Sequence, residues 1–331
     1  MTAEGFVPFR GYRTWYRVVG GGEEPGKLPL LCLHGGPGGT HDYLEPLEGM
    51  AETGRRAIFY DQLGCGKSDL PDDPSLWTPE LFVDEVGAVR EALGLERVHV
   101  FGNSWGGMLA LEYALTRPAG LASLVLASAP ASIPQWVEET GRLRAQLPAD
   151  VQEVLDRHEA AGTTDDPEYG EAAMVFYRRH VCRADPWPDC VLRSFEFIER
   201  HGVVYRTMNG PSEFHVTGTL REWSVVDRLG EIGVPTLVVT GEHDEATPAI
   251  NRTVAEGIPS AESVILPDAS HMAHVERTDD YLRLLDRFLT RVEASASSRD
   301  SRRLSSSPSK QETTRPRPRR TSWAHRSRPR P

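Results

Sequence analysis

Cysteine is scarce in this 331-residue chain: Cys32, Cys65, Cys182 and Cys190 are the only four. That is too few for a disulfide scaffold at this length, so the core has to be held by packing, and a reducing compartment is expected. Long apolar runs are missing as well. No stretch approaches the roughly 18 consecutive apolar residues of a membrane span, and Met1-Thr2-Ala3-Glu4-Gly5 opens without a basic region followed by an apolar run. The expectation is a soluble, cytoplasmic protein with no membrane partner. Positive charge is scarce over most of the chain. Eleven Lys and Arg residues and only two acids (Asp300, Glu312) fall after residue 293, so this segment carries a net +9 and residues 1–293 a net −20, against −11 for the whole chain. Non-specific nucleic-acid binding requires Lys and Arg for the phosphates, so a body of this sign excludes it and favours cationic or amine-bearing substrates.

The composition is otherwise ordinary for a globular protein, at 39% hydrophobic and 26% charged residues. Residues 294–331 are the exception. They are rich in Ser, Arg and Pro, with little apolar beyond Leu304 and Trp323, and are expected to form a disordered basic tail. Ahead of the tail, short apolar runs alternate with helical patterns, which predicts an α/β fold with a mostly parallel sheet covered by helices on both faces. Strands are expected at 6–10, 13–19, 28–33, 56–61, 97–101, 121–128, 236–240 and 263–266. Helices are expected at 79–93, capped by Thr78 with Pro79 in the first position, and at 105–116, 248–256 and 274–292. Between about 130 and 226 the alternation stops, and only helical stretches rich in Trp, Tyr, Arg and Glu remain. The expected organisation is a core of residues 1–130 and 227–293, a helical cap at 131–226 and the tail. The insertion would hang over the carboxyl ends of the strands, where open α/β sheets bind ligands.

The sharpest local signal is Gly102-Asn103-Ser104-Trp105-Gly106, between the apolar run ending at Phe101 and the helix opening at Gly107. This is G-x-S-x-G in a strand-turn-helix context. Such a turn lifts one hydroxyl above the sheet, and its glycines let the crowded backbone pass. A serine hydroxyl is a weak nucleophile at neutral pH, so a base and an orienting acid are required, and on such a sheet they follow in the order Ser, acid, His. The run 236–240 ends in Gly241-Glu242-His243-Asp244-Glu245, and the run 263–266 leads to Asp268-Ala269-Ser270-His271. Asp244 and His271 are the candidates for acid and base. Glu242 and Asp268 rival the first and His243 and His274 the second, with His274 read as a cap or support at the start of the last helix. Acyl transfer also needs donors aimed at the developing oxyanion. Trp105 N–H follows the nucleophile directly, and Gly36 N–H is favoured from the loop His34-Gly35-Gly36-Pro37-Gly38-Gly39.

Two other patterns carry no chemistry. Gly64-Cys65-Gly66-Lys67-Ser68 ends like a phosphate-binding loop, but Asp61 stands where that motif needs its first glycine. His180, Cys182 and Cys190 match no common zinc spacing, so no metal is expected, and the proposed chemistry requires no cofactor.

Taken together, His34-Gly35-Gly36-Pro37-Gly38, Asp61-Gln62-Leu63-Gly64-Cys65-Gly66-Lys67-Ser68, Gly102-Asn103-Ser104-Trp105-Gly106-Gly107, Met208-Asn209-Gly210-Pro211-Ser212-Glu213-Phe214 and Gly241-Glu242-His243-Asp244-Glu245 span about residues 30–275. In these the sequence resembles the proline iminopeptidase family of α/β-hydrolases, in the branch of the tricorn-interacting aminopeptidase and related amino-acid amidases. The resemblance implies an α/β-hydrolase fold with a cap. It also implies a serine aminopeptidase that removes one residue, often proline, from a free peptide N-terminus through an acyl-enzyme. Two acidic residues hold the substrate's α-ammonium in that family, and the matching positions here are Glu213 and Glu245. Trp136, Tyr205 and Trp223 are expected as the apolar wall around a pyrrolidine ring. An amidase or esterase acting on amino-acid amides with the same triad is the alternative, and a catalytically silent receptor on the same fold is a third reading.

Overall fold

The computed structural model describes the backbone of residues 1–305 and the side chains of residues 1–297. Eight strands form one sheet: β1 (Thr2–Phe9), β2 (Tyr12–Val19), β3 (Leu30–Leu33), β4 (Ala57–Tyr60), β5 (Val98–Asn103), β6 (Leu121–Ala127), β7 (Thr236–Gly241) and β8 (Ala261–Leu266). Their spatial order is β1-β2-β4-β3-β5-β6-β7-β8. The pairs β1/β2 and β2/β4 are antiparallel and the remaining pairs are parallel. Arg10 and Gly11 both take positive φ (49° and 87°), as the tight turn between β1 and β2 requires. Strands β3 to β5 and β7 are buried along their whole length, as expected for a sheet covered on both faces.

The helices α1 (Pro79–Ala92) and α2 (Trp105–Leu115) pack on one face of the sheet, in the same apolar cluster as α8 (Pro248–Gly257). Thr78 caps α1 by accepting the Leu81 N–H at 3.3 Å, with Pro79 in the first position. On the other face lie a 3₁₀ stretch, His41–Thr53, the short α9 (Ala273–Glu276) and the long α10 (Thr278–Ser305). Between β6 and β7 run five helices and no strand: α3 (Ile133–Arg144), α4 (Ala149–Ala161), α5 (Pro167–His180), α6 (Asp189–His201) and α7 (Val203–Met208). Their own apolar cluster includes Leu155, Tyr169, Phe176 and Phe214.

Helix α10 continues to Ser305, past the tail boundary expected at residue 293. No Pro or Gly interrupts the chain between Arg277 and Ser305, and the Ala, Ser, Glu and Arg residues there permit a helix without a core to bury. The rest of the expected tail, 306–331, lies outside the described residues. Helix α10 is fastened to the sheet by charge. Arg55 is fully buried and donates to Glu293 at 2.7 Å and to Asp286 at 3.0 Å, while Glu293 also accepts from Leu28 N–H at 2.9 Å. Burial alone would raise the Glu293 pKa, but the hydrogen bonds of His99 and Leu28 and the charge of Arg55 bring it below the usual range. Glu293→Ala would leave the buried Arg55 with Asp286 as its remaining carboxylate partner and take the acceptor from Leu28 N–H. We expect it to lower unfolding stability by about 1–3 kcal/mol in urea denaturation while leaving turnover per folded molecule unchanged.

Candidate active site

Every candidate chemical residue of the core sits where a strand stops. Ser104 follows β5, Asp244 lies three residues after β7, His271 lies in the loop between β8 and α9, and Gly36 lies in the loop after β3. Ser104 occupies φ 56°, ψ −124°, a conformation that side chains other than glycine rarely adopt. Two contacts explain the glycines around it. A Cβ on Gly102 would lie 2.1 Å from Gly106 O, and one on Gly106 would lie 2.1 Å from Leu33 O. The turn therefore closes only with bare backbone, and any larger residue would push the hydroxyl from its place.

His271 Nδ1 stands 2.8 Å from Asp244 Oδ1, and both residues are buried. A carboxylate can only accept, so Nδ1 carries the proton and Nε2 is left free to act as a base. Asp244 is held in turn by Thr240 Oγ1 at 2.7 Å and by Ala246 N–H at 2.7 Å. Ser104 and His271 line one small cavity of about 40 Å³, together with Gly36, Glu213 and Glu245. Trp105 opens α2 directly after Ser104, so its N–H has no acceptor within the helix.

The rivals are placed elsewhere. His274 is buried in α9 with Nε2 3.0 Å from Tyr43 O, and burial brings its pKa down to about 4, which makes it a neutral support. His243 offers its backbone carbonyl to His180 Nδ1 at 2.9 Å. Glu242 and Asp268 are exposed and hydrogen-bonded to each other through Asp268 N–H at 3.2 Å.

Glu213 and Glu245 come from different parts of the chain, the loop after α7 and the loop after β7, and face the same cavity. Glu213 accepts from Tyr205 Oη at 2.6 Å. Glu245 is buried, with one oxygen 3.7 Å from His271 Nδ1 and the other, Oε2, without any hydrogen-bond partner. Burial raises both carboxyl groups. For Glu213 this outweighs the Tyr205 hydrogen bond and the nearby His271, and for Glu245 the charges of Glu213 and Asp244 push in the same direction, well above the ordinary range.

A larger cavity of about 680 Å³ adjoins the first, sharing Phe195, Ile198 and Glu213, and it is lined mostly by α5, α6 and α7. Of the three expected aromatics, Tyr205 lines it. Trp136 lines neither cavity but packs edge-on against the His271 ring at 6.0 Å and donates to Glu213 O at 2.7 Å. Trp223 is a correction. It packs against the core beside α2 and donates to Glu112 at 2.8 Å, because backbone hydrogen bonds from Ile133 N–H to Trp223 O and from Val225 N–H to Ala131 O hold its segment beside the start of α3.

The sequence reading missed Tyr43, Asn103 and His180. Tyr43 accepts from Gly35 N–H at 2.6 Å and donates to Asn103 Oδ1 at 2.8 Å. The His180 carbonyl accepts from both Glu245 N–H (3.3 Å) and His271 N–H (3.1 Å), so the end of α5 ties the two loops together. Apart from Gly35 and Tyr43, eight positions apart, these partners lie 60 or more residues from one another, and no local pattern marks them.

Three groups of His and carboxylates among the described residues lie close enough to share a metal ion, His41/Asp42/Glu45, His158/Asp166/Glu168 and Glu242/His243/Asp268. None contains Ser104, Asp244 or His271, and His41 Nδ1 is already engaged by Asp61 at 2.8 Å. No helix of the described residues is long and apolar enough to cross a membrane.

A parallel sheet with a serine on a strained strand-to-helix turn, and a His–Asp pair on later strand ends, is the layout of an α/β hydrolase, and residues 29–278 match the model of the alpha/beta hydrolase fold family. Among relatives, the proline iminopeptidase of Lactobacillus helveticus (strain DPC 4571) is 42% identical over 291 residues, covering 86% of this chain and 97% of that one. The crystal structure of proline iminopeptidase from Mycobacterium smegmatis is 48% identical, with a TM-score of 0.83 over 89% of this chain and 100% of that one. The structure of VinJ is also 48% identical, with a TM-score of 0.85 over 88% and 99%. The chain belongs to the proline iminopeptidase family.

Proposed function

We propose that this protein is a serine aminopeptidase that releases the N-terminal residue, preferably proline, from peptides through an acyl-enzyme. The observation that carries the reading is the carboxylate pair. Glu213 and Glu245 face the same cavity as Ser104 and His271, and one buried oxygen of Glu245 has no partner. An α-ammonium is the chemical group that would satisfy that oxygen, and the names of the relatives agree with such a substrate. A substrate amine has a pKa near 7.7–8.0 and is largely cationic at neutral pH. Held by the two glutamates, it would leave only the first carbonyl within reach of Ser104.

Ser104 Oγ attacks that carbonyl while His271 Nε2 takes its proton, with Asp244 fixing the tautomer, and the Gly36 and Trp105 N–H groups receive the oxyanion. His271 then gives the proton to the leaving amine, and water repeats the sequence to release the amino acid. The five-helix insertion acts as a cap over the amino end, and the cavity under α6 and α7 supplies room that the 40 Å³ space beside Ser104 lacks. The free cysteines support a cytoplasmic setting.

Incubation with a peptide that begins with proline tests this reading. Mass spectrometry should show loss of one N-terminal residue and no internal cleavage, whereas internal products would exclude an aminopeptidase. The raised carboxyl groups also set a pH dependence. As pH falls through their range they take up protons, lose their charge and release the ammonium, so KM for L-prolyl p-nitroanilide should rise as pH is lowered. A KM independent of pH would contradict an ionic amine site.

A further inference from the structure

Gln62 stands just beyond β4, fully buried, and neither lines the cavity nor hydrogen-bonds to a residue of the triad. Its side chain is nevertheless used at both ends. Nε2 donates to His34 O at 2.8 Å, and Oε1 accepts from the Trp105 indole Nε1 at 2.8 Å. Its backbone N–H donates to His34 Nε2 at 3.0 Å. That bond fixes His34 in the tautomer whose Nδ1–H donates to Gly35 O, 2.9 Å away. On the far side, Gly35 N–H donates to Tyr43 Oη, which donates to Asn103, the residue before Ser104. These hydrogen bonds link Trp105, Gln62, His34, Gly35, Tyr43 and Asn103, and the backbone through Ser104 closes the ring. Gly36 follows the Gly35 segment of that ring, and Trp105 is part of it.

We infer that Gln62 is a positioning residue for the oxyanion site, setting the separation between the Gly36 and Trp105 N–H groups by bridging the two segments that carry them. This rests on the reading of those two groups as the oxyanion donors. The amide presents one acceptor and one donor at the end of the side chain, as this bridge requires. Leucine supplies neither, and an ionised glutamate would turn an oxygen toward His34 O. Displacing one donor by a fraction of an ångström weakens the transition state and leaves ground-state binding intact.

The test compares the parent with Gln62→Leu and Gln62→Glu on three quantities: kcat and KM for L-prolyl p-nitroanilide, inhibition by free L-proline, and inhibition by pyrrolidine-2-boronic acid. The boronic acid's boron accepts the Ser104 oxygen to form a tetrahedral anion while the hydroxyl proton passes to His271. For Gln62→Leu we expect kcat to fall by about 30–100-fold and boronate affinity by a similar factor. KM and L-proline inhibition should stay within about twofold of the parent, since ground-state binding is untouched. Gln62→Glu keeps the inference testable if the leucine variant does not fold. Protonated, it reproduces the amide's donor and acceptor, so its kcat relative to the parent should be near one at low pH and decline as pH rises. Loss of L-proline affinity in step with kcat would overturn the inference in favour of general disruption. So would a parent-like Gln62→Leu, or a pH-independent ratio for Gln62→Glu. If the parent itself neither cleaves the substrate nor binds the boronate, the oxyanion reading fails first, and the inference falls with it.

Discussion

Ser104→Ala is expected to reduce kcat on L-prolyl p-nitroanilide by about 10⁴–10⁶-fold while leaving the melting temperature within a few degrees of the parent. The loss is large because the serine supplies the bond that splits one difficult step into two. The other groups cannot act in its place: His271 would have no hydroxyl to deprotonate, and the oxyanion donors would have no tetrahedral intermediate to hold. The fold should tolerate the change. Ser104 Oγ lies at a cavity edge, whereas the tight contacts of the turn are made by the backbone of Gly102, Gly106 and Leu33. Alanine retains an unfavourable positive φ here, as serine does, so the variant neither gains nor loses that strain. A fluorophosphonate label should attach to the parent and not to the variant. Labelling of both would move the nucleophile elsewhere, and labelling of neither would revive a silent receptor.

Glu245→Gln is expected to produce two opposite effects. On free-amine substrates kcat/KM should fall by about 30–4,000-fold, the equivalent of 2–5 kcal/mol for removing one partner of a desolvated charge pair. The empty enzyme should become more stable. Glu245 is buried beside Glu213 and Asp244 with Oε2 unpartnered, and its carboxyl binds a proton more tightly in the folded protein than in the unfolded chain. Such a group contributes stability at low pH and loses it as pH rises from the ordinary carboxylate range through the raised folded value. The neutral amide removes that loss, so the melting temperature at pH 8 should rise by about 2–5 °C, an effect that disappears near pH 4. A variant that is both less active and less stable at pH 8 would show that Glu245 serves the fold and not the substrate.

How much of this was legible beforehand follows from distance along the chain. The turn at Ser104 is written within five consecutive residues, and the placement of Asp244 and His271 beyond strand ends follows from apolar runs immediately before them. The cap is visible as the absence of strands over nearly a hundred residues. Glu213 was legible only through family resemblance, since an acid in a loop says nothing by itself. Tyr43, Asn103, Gln62 and His180 act through hydrogen bonds to residues 8 to 91 positions away, most of them distant in sequence, and only the fold decides which of many polar residues meet. Trp223 was misplaced because an aromatic in a helical insertion is equally suited to a binding wall and to a packing surface, and its indole N–H found Glu112. Helix α10 runs on past residue 293, since composition marks a change in the chain and not the point where a helix already started must stop.

The central claim is that Glu213 and Glu245 read a free amine beside Ser104. Initial rates on L-prolyl p-nitroanilide and on its N-acetylated form, with Ser104→Ala as the blank, test it most directly. Cleavage of the free amine with at least about 100-fold preference over the acetylated form is the expected result, since acetylation removes the charge that both carboxylates would hold. Comparable cleavage of the two would contradict it, leaving a general amidase or esterase built on the same three residues.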